Sequence, residues 1–306
     1  MEKFQKYFKA VIRIGLGVFF IASAILKLLS LDNFELYIYS FDLMNLTLCG
    51  LAARAIIACE LLVGILLIIK VKYKFAWWVT LLMLIGFSFL LVYVILFRND
   101  SNCHCMGDLM EIKPSVSLIK NIVGIALLMI VRKEEDYPFR FKTLALVLAS
   151  VAAIVPPFIL FPLDDVYNLF SKSANQDFNE TEFNALMADS TMQDIRFDKG
   201  NYIVGVVSSG CKYCHTGGVK LSEIVKHNQL DTSRVIYFIW GDSTSIRQFQ
   251  TETQSESFRF ITISPIQAIR VVNGHFPTYL FISDDDVKRT ADLRHLTEKN
   301  ISEHLK

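Results

Sequence analysis

Charge of one sign never dominates this chain of 306 residues: 31 Lys and Arg stand against 30 Asp and Glu, a formal net charge of +1. A balance so even gives no bulk attraction for polyanions, which excludes nucleic acid as an electrostatic partner. Cysteine is sparse too, with six in the whole chain. That is too few, in too long a chain, for the stapled scaffold of a small secreted domain. Internal repeats and low-complexity tracts are absent. What the chain has in excess is apolar surface. The hydrophobic fraction is 53% and mean hydropathy is +0.39, too high for an ordinary soluble protein, and the excess lies almost wholly before Pro162.

That excess falls in five runs, residues 8–29, 46–69, 75–97, 115–131 and 143–161. Crossing a bilayer core as a helix takes about 20 apolar residues, so these read as five spans, the fourth of them short. Lys3, Lys6, Lys9 and Arg13 precede the first. Ala22-Ser23-Ala24 has the small-residue pattern of a signal cleavage site, but the apolar run continues to Leu29, which favours a retained helix. Trp77 and Trp78 open the third span as an interfacial pair. Lys120 can snorkel from near the start of the fourth. Pro156-Pro157 stands near the end of the fifth.

Lys and Arg mark the cytoplasmic side of such a bundle. The N-terminus, the 70–74 turn and the 132–142 turn hold eleven of them, whereas the 31–45 and 98–114 loops hold only Arg98 and Lys113. The expected topology places the N-terminus in the cytoplasm. It places the 98–114 loop and everything after residue 162 outside the inner membrane, in an oxidising compartment. Cleavage after Ala24 would leave these placements unchanged.

The expected domains are a four-helix membrane region over residues 1–132, a fifth span within 133–162, a polar linker over 163–199 and a folded domain over 200–306. The linker carries one weakly helical piece at 182–188. From residue 201 the pattern alternates. Strands are expected at 202–207, 235–240, 258–263 and 276–282, being rich in β-branched and aromatic residues. Helices are expected at 211–227, 243–254, 265–272 and 296–305. Asp284-Asp285-Asp286 reads as a hairpin turn. The fold class is thus an all-α transmembrane bundle followed by an α/β domain.

Four of the six cysteines form two close pairs. Cys211-Lys212-Tyr213-Cys214 stands where a strand passes into a helix. A helix N-terminus stabilises a thiolate, which makes Cys211 the expected attacking thiol and Cys214 the resolving one. With His215 the same stretch is formally C-x-x-C-H, a c-type haem attachment pattern. A haem domain is usually helical, and the strand-rich pattern that follows argues for the thiol reading. Cys103-His104-Cys105 lies in the 98–114 loop. A disulfide across one residue has poor geometry, and strained disulfides are the readily reduced ones. Metal binding there would need a fourth ligand, with Asp108 and Glu111 the nearby choices, and the redox reading is preferred. Glu60 lies at bilayer depth in the second span, where a carboxylate is a functional candidate by default. Its structural alternative is a protonated carboxyl or one paired with Arg13 or Arg54. Cys49 and Cys59 are ten residues apart on one helix, about 15 Å along its axis, too far to pair.

Two resemblances follow from these motifs. Cys211-Lys212-Tyr213-Cys214 with Phe276-Pro277-Thr278 leading into a later strand resembles the thioredoxin-like family. That resemblance implies a cis-proline, Pro277, facing the redox pair. The chain departs from thioredoxin itself in lacking a Trp-Cys-Gly-Pro context. In the membrane half, Arg13-Ile14-Gly15-Leu16-Gly17, Lys27-Leu28 and Cys59-Glu60-Leu61-Leu62-Val63-Gly64 resemble the DoxX/MauE-like membrane proteins. Cys103-His104-Cys105-Met106-Gly107-Asp108 is similar to the C-x-C-F-G stretch of MauE, with Met106 in place of Phe. That family implies a four-helix membrane protein associated with a thioredoxin-like partner in disulfide formation or the maturation of a periplasmic enzyme.

The combined expectation is a membrane thiol–disulfide oxidoreductase acting on periplasmic protein thiols and disulfides. Its site residues are Cys211, Cys214, Cys103, Cys105, Pro277 and Glu60. Lipid surrounds it, quinone is the candidate membrane carrier, and no covalent cofactor or metal is expected. No expected cytoplasmic loop contains a cysteine, which favours net oxidation of outside substrates. The alternatives are a membrane-anchored c-type cytochrome and a non-catalytic binding or chaperone module for an envelope protein.

Overall fold

A computed structural model describes the chain except residues 1, 99, 101, 108–111, 138–139, 172–177, 190–191, 193–196 and 198–199. The chain divides into two compact units, Met1–Ile38 with Leu48–Pro162, and Tyr39–Thr47 with Leu163–Lys306.

The first unit is helical. Its long elements are α1 (Glu2–Leu29), α3 (Leu46–Ile69), α4 (Tyr73–Phe97), α5 (Pro114–Ile130) and α6 (Lys142–Val155), with the short α2 (Leu31–Tyr39) after α1. Among the described residues, four helices are long and apolar enough to cross a membrane: Lys3–Leu29, Leu46–Ile69, Tyr73–Phe97 and Lys142–Leu160. Pro114–Ile130 is apolar but shorter. The last of the four closes in a π-helical turn, Pro156–Leu160. Pro156 lacks an amide hydrogen and so loosens the helical ladder where it enters.

Helices α1 and α3 run antiparallel, their contacts stepping from Arg13 on Ile68 to Lys27 on Glu60. They meet at Gly17 and Gly64. A Cβ on Gly17 would lie 2.7 Å from the Gly64 carbonyl, and one on Gly64 2.8 Å from that of Gly17. Small residues at such a crossing let two backbones touch without lipid between them. Arg13 donates to the Leu67 and Ile68 carbonyls and so satisfies the end of α3.

The 31–45 segment, expected as a loop, holds helix α2 instead. Its buried Glu35 anchors it through Arg54, 2.9 Å away. Arg54 also donates to the carbonyls of Gly50, Phe161 and Pro162, at 2.9, 2.9 and 3.1 Å. A cation at this depth persists because its fork of N–H groups is filled by a carboxylate and backbone oxygens.

The second unit carries α7 (Asp164–Phe170) and α8 (Glu180–Met187), then β1 (Asn201–Ser208), α9 (Lys212–His227), β2 (Val235–Trp240), α10 (Ser243–Glu252), β3 (Arg259–Thr262), α11 (Pro265–Val271), β4 (Thr278–Ser283), β5 (Asp286–Ala291) and α12 (Glu298–Leu305). The sheet order is β3-β2-β1-β4-β5. β1, β2 and β3 are parallel, while β4 runs antiparallel to β1 and β5 to β4. Side chains alternate across the sheet. Val204, Val206, Ile236, Phe238, Leu280 and Ile282 enter the core that α8 and α11 cover. Ile203, Tyr237, Ile239, Tyr279 and Phe281 point the other way and are also buried. Strands apolar on both faces mean helices on both faces.

Two expectations about this unit need correction. The 163–199 stretch is not a polar tether throughout, because Phe183, Leu186, Met192 and Phe197 are buried in the sheet's core. The Asn179 amide donates 2.9 Å to Val271 O, and the Asn179 side chain caps α8. The folded unit therefore starts well before residue 200. The second difference is β5, an edge strand of mostly polar residues with no apolar run to announce it. Asp284 and Asp285 make its turn, with φ of 52° and 66°, a left-handed pair that feeds a tight hairpin.

Candidate functional site

The C-x-x-C pair stands at the sheet's centre. β1 ends at Ser208 and the chain turns through Ser209 and Gly210 into α9. Cys211 is the N-cap of that helix, with extended φ and ψ of −89° and 117°, and its sulfur accepts from the Cys214 amide at 3.3 Å. A side chain accepting from the first-turn amides is the normal way to satisfy a helix start, and here the acceptor is the nucleophile itself. Cys211 is half-buried and Cys214 fully buried. Burial pushes the Cys214 thiol up, and its hydrogen bond with Cys211 adds to the effect.

His215 follows directly. Its Nε2 lies 2.7 Å from the Ser209 carbonyl and its Nδ1 2.8 Å from Glu252 on α10. Both ring nitrogens are thus engaged, and the ring ties the start of α9 to the neighbouring helix. The bond between Phe276 and Pro277 is cis. The Pro277 ring lies against α9 just past Cys214, where a Cβ on Gly217 would be 3.4 Å from it.

The C-x-C pair sits in the first unit, in the loop between α4 and α5. Cys103 is buried, 3.0 Å from the Ser117 hydroxyl in the first turns of α5, and its sulfur accepts from the Cys105 amide at 3.3 Å. The Cys105 thiol donates to the Cys103 carbonyl at 3.4 Å. Asn102 Oδ1 holds the loop's shape by accepting from the amides of His104 and Ile112. The Cys105 thiol beside it draws Cys103 below the ordinary thiol range, with Ser117 and the Cys105 amide acting the same way and burial opposing. The same contact with Cys103 pushes Cys105 up, and burial adds to that.

Beneath this loop lies Glu60, 2% exposed. It pairs with neither Arg13 nor Arg54. Lys27 holds it, with Nζ 2.7 Å from Oε1 and 2.8 Å from Oε2. Lys27 also donates to Ser23 Oγ at 2.8 Å, and Ser23 donates to the Cys105 carbonyl at 3.2 Å. The Phe34 and Phe87 rings flank the ammonium at 5.8 Å each. The structure thus brings Glu60 together with the C-x-C loop through Lys27 and Ser23, neither of which was expected as a site residue. The signal was present: Lys27 and Glu60 are opposite charges in adjacent apolar spans, and such charges seek each other.

None of the six cysteines is in a disulfide in this structure. Cys49 is buried and Cys59 half-buried on α3. Among the described residues no three His, Cys, Asp or Glu side chains converge as a metal site. Asp108 and Glu111, the acidic neighbours considered for the C-x-C loop, lie outside the described residues.

A helical membrane region followed by a thioredoxin-fold-like domain, with a C-x-x-C at a helix start and a cis-proline beside it, is the class these features define. Residues 5–132 match the profile of the family described as methylamine utilisation protein MauE. The chain therefore has a MauE-family region at its N-terminus, fused to that C-terminal domain. One relative, Protein TlpB of Flavobacterium psychrophilum, is 29% identical over 320 aligned positions, covering 87% of this chain and 86% of that protein. A solved structure, that of a secreted Mycobacterium tuberculosis disulfide oxidoreductase homologous to E. coli DsbE, is 12% identical with a TM-score of 0.29, over 35% of this chain and 80% of that one.

Proposed function

We propose that the protein is a membrane thiol–disulfide oxidoreductase that works in the oxidising direction on protein thiols outside the inner membrane. The observation that carries this reading is Cys211 at the N-cap of α9, its sulfur facing the helix amides, with Cys214 buried one turn on. That is the arrangement in which one thiol attacks and the second resolves. A substrate dithiol gives two electrons to the Cys211–Cys214 disulfide and leaves oxidised. The reduced pair passes them to a Cys103–Cys105 disulfide. A membrane quinone as carrier would supply the oxidant for that pair, accepting its two electrons and two protons. Pro277 shapes the surface that receives the incoming disulfide, and Glu60 handles protons beneath the C-x-C loop. The Lys and Arg asymmetry supports an outward-facing C-terminal domain. With that orientation the cytoplasmic turns contain no cysteine, which supports export of electrons through the membrane rather than their import from cytoplasmic thiols. The engagement of both His215 nitrogens supports the thiol reading over haem attachment.

The test is oxidation of a reduced model dithiol peptide by the full-length protein in detergent with a soluble quinone. Disulfide formation should need both protein and quinone and should vanish in Cys211→Ser. Absence of quinone-dependent oxidation by the intact protein would contradict the carrier and the direction.

A further inference from the structure

The resolving thiol lies over two buried hydroxyls. Tyr237 on β2 and Tyr279 on β4 flank Gly205 on β1, each directly opposite it in register. All three belong to the sheet face turned away from the α8–α11 core, because side chains alternate along a strand. Both tyrosines are 0% exposed, and neither hydroxyl has a hydrogen-bond partner of regular geometry. Buried hydroxyls are nearly always paired; these two bear on each other, and two phenols sharing one hydrogen bond leave one O–H to donate elsewhere. Their room is made by glycines. A Cβ on Gly205 would lie 2.6 Å from the Tyr237 ring and 3.1 Å from that of Tyr279, and a Cβ on Gly217, three residues past Cys214, would strike the Tyr279 hydroxyl. Glycine weakens the interior of a strand or a helix, and here Gly205 makes room for both rings and Gly217 for that of Tyr279. The phenols and the Cys214 sulfur are close enough that a thiolate on Cys214 disfavours ionising either tyrosine.

We propose that Tyr279, supported by Tyr237, is a positioning residue for resolution: its hydroxyl donates a hydrogen bond to the Cys214 thiolate as that sulfur attacks the mixed disulfide on Cys211. The inference rests on the thiol–disulfide reading above and deepens it. In the step, Cys214 loses its proton and bonds to the Cys211 sulfur. The bond from Cys211 to its partner sulfur, that of Cys103 or Cys105 in the proposed relay, breaks, and the departing thiolate takes up a proton, so no external oxidant or reductant enters. Burial opposes a charged Cys214 and Cys211 adds to that, while the Ser208 backbone favours the charge. Tyr237 and Tyr279 feel that charge in turn, and His215 next in the chain is held by Glu252. The phenols remain neutral, since burial raises both. They serve as donors to the thiolate, not as bases.

The experiment uses the reduced full-length chain in detergent, in a Cys103→Ser/Cys105→Ser background so that one pair reports. Glutathione disulfide is added, and glutathionylated protein is followed by mass after acid quenching, from mild acid to mild base. Tyr279→Phe keeps the ring and removes the hydroxyl. It should slow loss of the mixed disulfide by about tenfold, the worth of one hydrogen bond to a charged group, and move the pH midpoint of that step upward. Formation of the mixed disulfide, measured with Cys214→Ser, should be unchanged. Tyr237→Phe should slow resolution in the same sense by a smaller factor, and it decides the matter if Tyr279→Phe fails to fold. Resolution at the unmodified rate and midpoint in a folded variant, or equal slowing of the first step, would overturn the proposal. If the unmodified protein forms no mixed disulfide at all, it is the thiol–disulfide reading that falls.

Discussion

Lys27 and Glu60 form a buried ion pair between α1 and α3, 3% and 2% exposed, and Ser23 links the lysine to the Cys105 carbonyl. Taking two charges out of water is costly, and the cost is met only while each has its partner. Removing one partner strands the other. Lys27→Met or Glu60→Gln alone should each destabilise the membrane unit by about 3–5 kcal/mol, with the double variant recovering most of the loss. Chemical denaturation in detergent measures this. A double variant whose loss equals the sum of the two single losses would mean that the two charges are not coupled. The recovered double variant also separates structure from chemistry. If Glu60 handles protons, quinone-dependent oxidation stays slow in a protein that is stable again.

The two thiols of the C-x-C loop are pushed in opposite directions, Cys103 down and Cys105 up. The Cys105 thiol favours charge on Cys103, so Cys103 keeps its thiolate as the pH falls through the ordinary thiol range of about 8.5. The expected outcome is alkylation of Cys103 that stays near its plateau at neutral pH and falls only in mild acid. Cys105→Ala deletes the main cause and should return the midpoint towards that of a free thiol. Rate–pH profiles with iodoacetamide, read by mass spectrometry on the peptide, decide it. Identical midpoints with and without Cys105 would contradict the assignment.

Phe183 stacks on Phe238 with ring centroids 6.4 Å apart and lies 3% exposed beneath the sheet. Truncating a buried phenylalanine costs about 3–5 kcal/mol, so Phe183→Ala should lower the stability of the C-terminal unit by that amount. A tether residue would cost nothing. Unfolding monitored by near-ultraviolet circular dichroism distinguishes the two.

Much of this architecture could be read from residues, and the misreadings have physical causes. The five apolar runs declared themselves because length and hydropathy are enough for a membrane helix. The strands β1, β2 and β4 did so because a sheet covered on both faces needs continuous apolar runs. Helix α2 was hidden because its polar residues suggest a loop, and what fixes it is Glu35 meeting Arg54 from another helix. Helix α8 showed only as a weakly helical piece at 182–188, because Phe183 and Leu186 alone of its eight residues are buried, too few to show a period. The partner of Glu60 depended on how two helices cross at Gly17 and Gly64. The Tyr237–Gly205–Tyr279 row depended on strand register, which no local pattern records.

The Lys and Arg asymmetry predicts that the C-terminal domain faces outward. An added C-terminal cysteine should react with a membrane-impermeant maleimide in intact cells after mild reduction. Protection until the membrane is broken would reverse the topology and remove the proposed route for electrons.

Trapping the intermediate between the two cysteine pairs tests the central claim most directly. Exchange runs through a mixed disulfide, which the resolving thiol normally clears. In Cys214→Ser that thiol is gone, so Cys211 should remain bonded to Cys103 or Cys105 of its own chain, favoured by intramolecular effective concentrations on the order of millimolar. A protease site placed between Phe170 and Phe178 then reports the link on gels. The account predicts halves that stay joined without reductant, separate with it, and never join in Cys211→Ser. Halves that separate without reductant, with only external proteins captured on Cys211, would contradict it.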